Sequence, residues 1–267
     1  MTLPRLPVEA VSFDFGNTLV RVDRVGLRAV IQRTADALLA RATITDAQAF
    51  LSAWSEERDR QFRDEVPMLR EVDMSQRVVR VLARLRGFGP PPADDAWDDL
   101  KASRYVDPAE AAFAIETYGA AFVATMVPMP DAGTVIADLA ARGFRLVILS
   151  NWPYAATIDQ FADAQGWAPH LEAVIVSQRV GRIKPHPEIF RQAAAALEAP
   201  PDRILHVGDD WAADVVGASR AGWKAAYVRN RQGDTPLPTS APAREVVPEL
   251  VIDELAEIGP RIERWTP

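Results

Sequence analysis

The chain has 267 residues, enough for one large domain or two smaller ones with a sizeable apolar core. Hydrophobic residues make up 48% and charged residues 25%, which is the balance of an ordinary globular protein. The net charge of −7 argues against a broad basic face for nucleic acid. Since there is no cysteine, disulfides, thiolate metal sites and a thiol nucleophile are excluded.

The N-terminal ten residues contain Arg5, Glu9 and two prolines, and the apolar run after them is too short for a signal peptide or a membrane span. We therefore expect a cytoplasmic protein with neither a membrane nor a nucleic acid as partner. The sequence leaves open whether it is a monomer or a homodimer.

Short apolar runs predict buried parallel strands along the chain. The first, Ala10 to Phe15, is closed by Gly16 and Asn17, where a turn is expected. Further runs are Arg145 to Ser150, Ala173 to Ser177, Ile204 to Gly208 and Ala225 to Arg229. Helical periodicity is found at Asp131 to Arg142 and at Pro187 to Leu197. Alternation of strands and helices predicts a parallel sheet with right-handed crossovers.

A long stretch between the first and second strands has helical spacing only, at Arg24 to Arg41, Asp46 to Phe62 and Ser75 to Leu85. This predicts a helical domain of residues 21–127 inserted into a core of residues 1–20 and 128–267. The tail after Asn230 is rich in Pro, Thr and Ser until Val246 and predicts a surface loop. Leu250 to Leu255 is then expected to return as a short edge element.

Polar residues stand at or just beyond the ends of the predicted strands. Asp14, Ser150 and Asp209 each mark the end of an apolar run, and Lys184 lies in the polar loop after another. Because the carboxyl ends of parallel strands meet at one edge of an open sheet, these side chains are expected to converge there.

These segments resemble the four ordered motifs of the haloacid dehalogenase-like superfamily. The matching segments are Asp14-Phe15-Gly16-Asn17-Thr18-Leu19, Leu149-Ser150-Asn151, Lys184-Pro185, and Gly208-Asp209 with Asp214. Flanking segments such as Pro187-Glu188-Ile189-Phe190 are typical of members with an inserted helical cap (C1 type, subfamily I). The resemblance implies an α/β fold, a Rossmann-like doubly wound parallel sheet with an α-helical cap domain inserted after the first strand.

The resemblance also implies roles for individual residues. Asp14 would be the nucleophile that takes a phosphoryl group from a small phosphorylated metabolite. Ser150 and Lys184 would stabilise the charge that develops on the phosphoryl oxygens. Asn17, Thr18 and Asn151 would contact substrate, although turn or helix-cap hydrogen bonding explains Thr18 and Asn151 equally well.

A Mg²⁺ cofactor is implied too, because Mg²⁺ prefers oxygen ligands. Its ligands would be the carboxylates of Asp14 and Asp209 and the backbone carbonyl of Gly16. Asp214 would be a direct or a supporting ligand. Asp210 is either a further ligand or an acid at a helix N-terminus.

The sequence departs from the family's phosphatase pattern at Gly16, where phosphatases usually carry a second Asp that protonates the leaving group. Three interpretations follow. The substrate has a leaving group that needs little protonation, such as an anomeric or acyl phosphate, or a cap residue or water supplies the proton. Alternatively, the enzyme is a 2-haloacid dehalogenase in which Asp14 forms an ester, although Asp209 argues against this. A third alternative is a catalytically weak member that acts as a binding protein.

Overall fold

The structure is a computed structural model that describes residues 5–88, 104–229, 234–240, 242 and 246–266. The chain divides into two compact units, one formed by Met1–Arg24 and Met126–Pro267 and the other by Val25–Thr125. Treating residues 21–127 as a cap domain that selects substrate stays a prediction.

In the part of the chain that the structure describes, the strands all lie in the first unit. They are β1 (Leu6–Val8), β2 (Ala10–Phe13), β3 (Val20–Arg21), β4 (Val127–Pro128), β5 (Arg145–Ser150), β6 (Ala173–Val176), β7 (Ile204–Gly208), β8 (Lys224–Val228), β9 (Leu250–Ile252) and β10 (Ile262–Arg264). Among the described residues the largest sheet has six strands in the order β6-β5-β2-β7-β8-β9, and every neighbouring pair is parallel. The predicted α/β class is confirmed.

The helices, in chain order, are α1 (Arg24–Ala40), α2 (Ala47–Asp64), α3 (Met74–Leu85), α4 (Pro108–Thr125), α5 (Ala132–Ala141), α6 (Ala155–Ala164), α7 (Ser177–Val180), α8 (Pro187–Leu197), α9 (Gly217–Arg220) and α10 (Ile258–Arg261). A six-residue π-helix, Trp211–Val216, leads directly into α9. Within the described part of the chain, no helix is long and apolar enough to cross a membrane.

Strands β2, β5 and β7 form the centre of the sheet. Every residue of β2 and β7 is buried, and so is all of β5 after its first residue. Such continuous burial requires helices on both faces of the sheet, which explains why these strands have unbroken apolar runs rather than alternating ones. Helix α8 covers part of one face with Ile189, Phe190, Ala193 and Leu197.

The remaining strands explain how the termini and the insertion join this core. The edge element expected at Leu250 to Leu255 is β9, which pairs in parallel with β8. Strands β3 and β4 pair antiparallel, with Val20 opposite Pro128 and Arg21 opposite Val127. The long insertion therefore leaves and re-enters the first unit at adjacent positions.

The second unit contains helices α2, α3 and α4 and most of α1. Trp54 is almost fully buried, and its ring lies 5.5 Å from the centroids of both Phe50 and Tyr118. Beside this cluster, Nε of Arg80 donates to Glu57 at 2.8 Å in a buried ion pair. The unit thus has an aromatic core of its own.

Candidate active site

Asp14 directly follows the central strand β2. Its backbone N–H donates to the carbonyl of Val207 at 2.8 Å, which extends the pairing with β7 by one residue. A tight turn then begins, in which Asn17 has a left-handed φ of 62° and its N–H donates to the Val20 carbonyl. The turn leaves the Asp14 carboxylate, 11% exposed, at the carboxyl edge of the sheet.

Lys184 lies in the loop between α7 and α8, and its side chain is 1% exposed. Its Nζ lies 2.7 Å from Oδ1 of Asp14, 2.7 Å from Oδ1 of Asp214 and 2.8 Å from the Leu149 carbonyl. An ammonium group has three protons, so each has an acceptor. Lys184 therefore joins two motifs and the end of β5.

Asn151 positions the backbone of Lys184. Its Oδ1 accepts from the Lys184 N–H at 2.6 Å, and its Nδ2 donates to the Lys184 carbonyl at 3.1 Å. These two bonds engage the whole side-chain amide with the Lys184 loop. Contact between Asn151 and substrate stays a prediction, whereas its contact with Lys184 is what the structure contains.

The other two predicted substrate contacts also have partners within the first unit. Asn17 accepts from the Val22 N–H at 3.0 Å and donates to Oγ1 of Thr235 at 3.0 Å. Thr18 donates to Oδ1 of Asp209 at 3.3 Å. Both side chains thus stabilise the loops around Asp14, and their contact with substrate stays a prediction.

Asp209 follows β7, and Asp214 lies one turn further on in the π-helix. Oδ1 of Asp214 lies 3.1 Å from Nε2 of His206 as well as near Lys184, and its Oδ2 accepts from the Asp210 N–H at 2.9 Å. A Cβ on Gly208 would lie 2.2 Å from Cγ of Asp214. Only glycine at position 208 therefore leaves room for the Asp214 carboxylate.

Three carboxylates meet at this edge of the sheet. Asp14, Asp209 and Asp214 each have an oxygen within 4.8 Å of the other two. Burial raises the pKa of Asp14 to about 7, against the opposing effect of Lys184. Burial and the nearby carboxylates also raise the pKa of Asp209.

The pKa values of Asp214 and Lys184 shift so as to favour the charged forms, because the two side chains are paired. Burial disfavours the charged form of both, but the Lys184 ammonium and the His206 hydrogen bond hold the pKa of Asp214 below its usual range. Attraction to Asp14 and Asp214 raises the pKa of Lys184 above its usual value. The two shifts thus both favour the charged forms of Lys184 and Asp214.

The donor set fits a hard divalent cation. When ionised, the three carboxylates carry three negative charges against the single positive charge of Lys184. Burial is the main cause of the raised pKa values of Asp14 and Asp209, and neighbouring carboxylates add to it. A bound divalent cation would offset both effects. Both Asp214 oxygens already accept hydrogen bonds, so Asp14 and Asp209 are better placed as direct ligands.

Ser150 and Asp210 occupy flanking positions. Ser150 is the last residue of β5 and is 1% exposed. Asp210 caps the π-helix by accepting from the Ala213 N–H at 2.7 Å, the contact expected of an acid at a helix N-terminus. The catalytic role of Ser150 stays a prediction.

Three residues that form hydrogen bonds around this site were not predicted to do so from the sequence. His206, on β7, bonds both Ser12 and Asp214, and a polar residue within an apolar strand is the only signal for it. The tail residues Thr235 and Ser240 bond the Asn17 and Asp210 loops, although the tail composition predicted only a surface loop. Nothing in that composition pointed to these contacts.

Comparison with known proteins identifies the class. A profile of the haloacid dehalogenase-like hydrolase family matches residues 8–222, so the chain belongs to this family. Phosphoserine phosphatase of Thermus thermophilus is 33% identical over 129 residues, which are 48% of this chain and 49% of that protein. The chain spans about half the length of the curated relatives it matches.

Two solved structures show the same fold. The magnesium-bound HAD-hydrolase YfnB of Bacillus subtilis is 17% identical with a TM-score of 0.61, over 95% of this chain and 97% of that one. A 2-haloacid dehalogenase of Pseudomonas syringae is 20% identical with a TM-score of 0.65, over 94% of this chain and 96% of that one. At these identities the likeness extends to the fold only.

Proposed function

We propose that this hydrolase is a magnesium-dependent phosphatase that acts on a small organic phosphate through an aspartyl phosphate on Asp14. The observation that carries the proposal is the cluster of Asp14, Asp209 and Asp214 around Lys184. A dehalogenase needs a carboxylate nucleophile but no cation, and Asp209 would then be a half-buried acid without a role. The phosphatase relative of Thermus thermophilus points in the same direction.

In this mechanism an Asp14 oxygen attacks phosphorus in line with the departing ester oxygen. The P–O bond to the leaving group breaks, and that oxygen departs with the electron pair. Water then attacks the phosphorus of the aspartyl phosphate, which releases inorganic phosphate and restores the Asp14 carboxylate. Splitting one displacement into two lowers each barrier.

Lys184 has two tasks in this scheme. Its ammonium favours the ionised form of Asp14, the form that attacks, and holds the carboxylate by a 2.7 Å hydrogen bond. When bound, Mg²⁺ supplies positive charge beside Asp14 and Asp209, with the Gly16 carbonyl and Asp214 in support. Ser150 is the candidate donor to a phosphoryl oxygen.

The test measures hydrolysis of p-nitrophenyl phosphate by the purified protein, once with Mg²⁺ and once with EDTA. A parallel assay measures chloride release from 2-chloropropionate. We expect phosphate release that requires Mg²⁺ and disappears in Asp14→Asn. Chloride release insensitive to EDTA would replace the proposal by dehalogenation. Absence of both activities in a folded preparation would favour a binding protein.

A further inference from the structure

The space beside Gly16 is lined by carbon atoms of neighbouring side chains. A Cβ on Gly16 would lie 2.9 Å from Cδ1 of Leu237, and its next nearest atoms would be Cζ3 of Trp152 and Cγ2 of Val22, both at 3.8 Å. The first distance is too short for a real contact, so Leu237 fills the space toward which a side chain at residue 16 would point. All three nearest atoms are apolar.

Leu237 belongs to residues 234–240, here called the C-terminal strap. One end of the strap is tied to the loop after Asp14, because Thr235 accepts from Nδ2 of Asn17 and donates to the Val22 carbonyl, both at 3.0 Å. The Leu237 N–H in turn donates to Oγ1 of Thr235 at 3.2 Å. These bonds fix the backbone of Leu237 beside Gly16.

The other end of the strap is tied to the loop that follows β7. The Ser240 N–H and Oγ both donate to the Asp210 carboxylate, at 2.8 and 2.9 Å, and the Ala212 N–H donates to Oγ of Ser240 at 2.6 Å. The strap therefore bridges the nucleophile loop and the loop that carries Asp209. Because hydrogen bonds hold both ends of the strap, Leu237 has a defined position next to Gly16.

We propose that Leu237, by occupying the space beside Gly16, keeps a proton donor out of that position and so restricts this enzyme to phosphates whose leaving group departs without a proton from the protein. Aryl, acyl and anomeric phosphates form this class. The inference rests on the proposed function, since it concerns the oxygen that leaves when Asp14 attacks phosphorus. A positioned general acid raises the reaction rate about 10²- to 10⁴-fold, chiefly for alkoxide leaving groups. The three atoms nearest to a Cβ on Gly16 are carbons, so none of them can act as such an acid.

The wild-type enzyme gives the first test. With Mg²⁺, kcat/KM is measured for a series of ring-substituted phenyl phosphates and for n-propyl phosphate. We expect kcat/KM to fall steeply as the leaving phenol becomes a weaker acid, with n-propyl phosphate cleaved more than about 10²-fold slower than p-nitrophenyl phosphate. A flat series, with n-propyl phosphate cleaved as fast as the aryl esters, would overturn the inference.

A set of variants tests Leu237 itself. Gly16→Asp with Leu237→Ala has room for a carboxyl group, and Gly16→Asn with Leu237→Ala is the matched control, because an amide cannot act as a general acid. We expect the Asp variant to cleave n-propyl phosphate about 10²-fold faster than its Asn control. With Leu237 intact the same Asp–Asn pair should differ far less. Equal gains with and without Leu237 would overturn its role.

The two proposals fail in distinguishable ways. Rapid quenching of the wild-type reaction with p-nitrophenyl phosphate should trap phosphoenzyme on Asp14. If no phosphate ester is cleaved and no phosphoenzyme forms, the proposed function and this inference both fall. If phosphoenzyme forms but the leaving-group series is flat, only the inference falls. Melting curves will reveal whether each variant folds. Where one does not, the wild-type series still tests the leaving-group restriction and can overturn the inference.

Discussion

Nζ of Lys184 lies 2.7 Å from Oδ1 of Asp214, and the two side chains are 1% and 2% exposed. The same ammonium bonds Asp14, which is 170 residues away in the chain. A buried pair of this kind adds little net stability over apolar packing, but removal of one partner leaves an uncompensated charge in a low-dielectric site. The first prediction follows from this asymmetry.

Replacing Lys184 with Met should lower the free energy of unfolding by about 3–5 kcal/mol, because Asp14 and Asp214 lose their common cation. Denaturant unfolding measures this. Arg63→Met is the control, since that arginine is 70% exposed in its pair with Asp64 and should cost no more than about 1 kcal/mol. Equal losses in the two variants would contradict the prediction.

The metal-free protein should lose stability as pH rises from about 4 to about 7 through the contribution of Asp14. Its pKa is about 7 in the folded state against 3.8 ordinarily, so in that window the folded state holds a proton that the unfolded chain has released. Other groups titrate as well, so the measured quantity is the difference between wild type and Asp14→Asn.

In EDTA, unfolding free energies at several pH values should show wild type losing stability relative to Asp14→Asn as pH rises. Saturating Mg²⁺ should weaken or reverse this trend, because a bound cation favours the ionised carboxylate. Parallel pH profiles in EDTA would be evidence against a raised pKa at Asp14.

Two adjacent acids should behave differently toward metal. Asp209→Asn removes a charge from the three-carboxylate cluster and should weaken Mg²⁺ binding at least about 10-fold by isothermal titration calorimetry. Asp210→Asn is its control, because Asp210 caps the π-helix and Asn caps helices equally well. Equal loss of Mg²⁺ affinity in both variants would disprove this division of roles.

Gly208→Ala should impair the site without a change of charge. The new Cβ would lie 2.2 Å from Cγ of Asp214, so that carboxylate must move away from Lys184 and His206. We expect a drop in kcat of more than about 10-fold, of the kind that follows from misplacing a group that positions the site.

Gly166→Ala is the comparison for that variant. A Cβ there meets nothing within 4 Å, but φ is +70°, so we expect a loss of about 1 kcal/mol in stability with normal activity. Similar activity in the two alanine variants would show that the Gly208 contact is unimportant.

Most of the fold followed from local patterns. Helix α8 spans Pro187–Leu197, as predicted from its first-turn proline and apolar spacing, and β5 and β7 begin and end at the predicted residues. Asp14, Ser150, Lys184 and Asp209 were expected to converge because parallel strands end at one edge of a sheet. Asp14 does lie beside Asp209 and Lys184, and the role of Ser150 stays a prediction. The spacing of apolar residues and the residue at which a strand ends both depend on neighbours in the sequence. They can therefore be predicted without knowledge of the tertiary structure.

The assignment of side-chain partners was less predictable. The sequence could not distinguish whether Asp214 was a direct or a supporting metal ligand, and in the folded chain both of its oxygens accept hydrogen bonds. For Asn151 the sequence allowed a helix cap or a substrate contact. The structure adds two hydrogen bonds to the backbone of Lys184, and the substrate contact stays a prediction. Such choices depend on distances of a few tenths of an ångström between loops.

The order of elements and the place of each polar residue at a strand end are therefore properties of the amino-acid sequence, since short-range hydrophobic patterning specifies them. Only the tertiary structure shows that Thr235 contacts Asn17, 218 residues away in the chain, and that Leu237 lies beside Gly16. The tail that carries these residues has no periodic apolar pattern, so its path is determined by the hydrogen bonds it makes with the finished core. For that reason the apolar contact between Leu237 and Gly16, close to the nucleophile, could be found only from the tertiary structure.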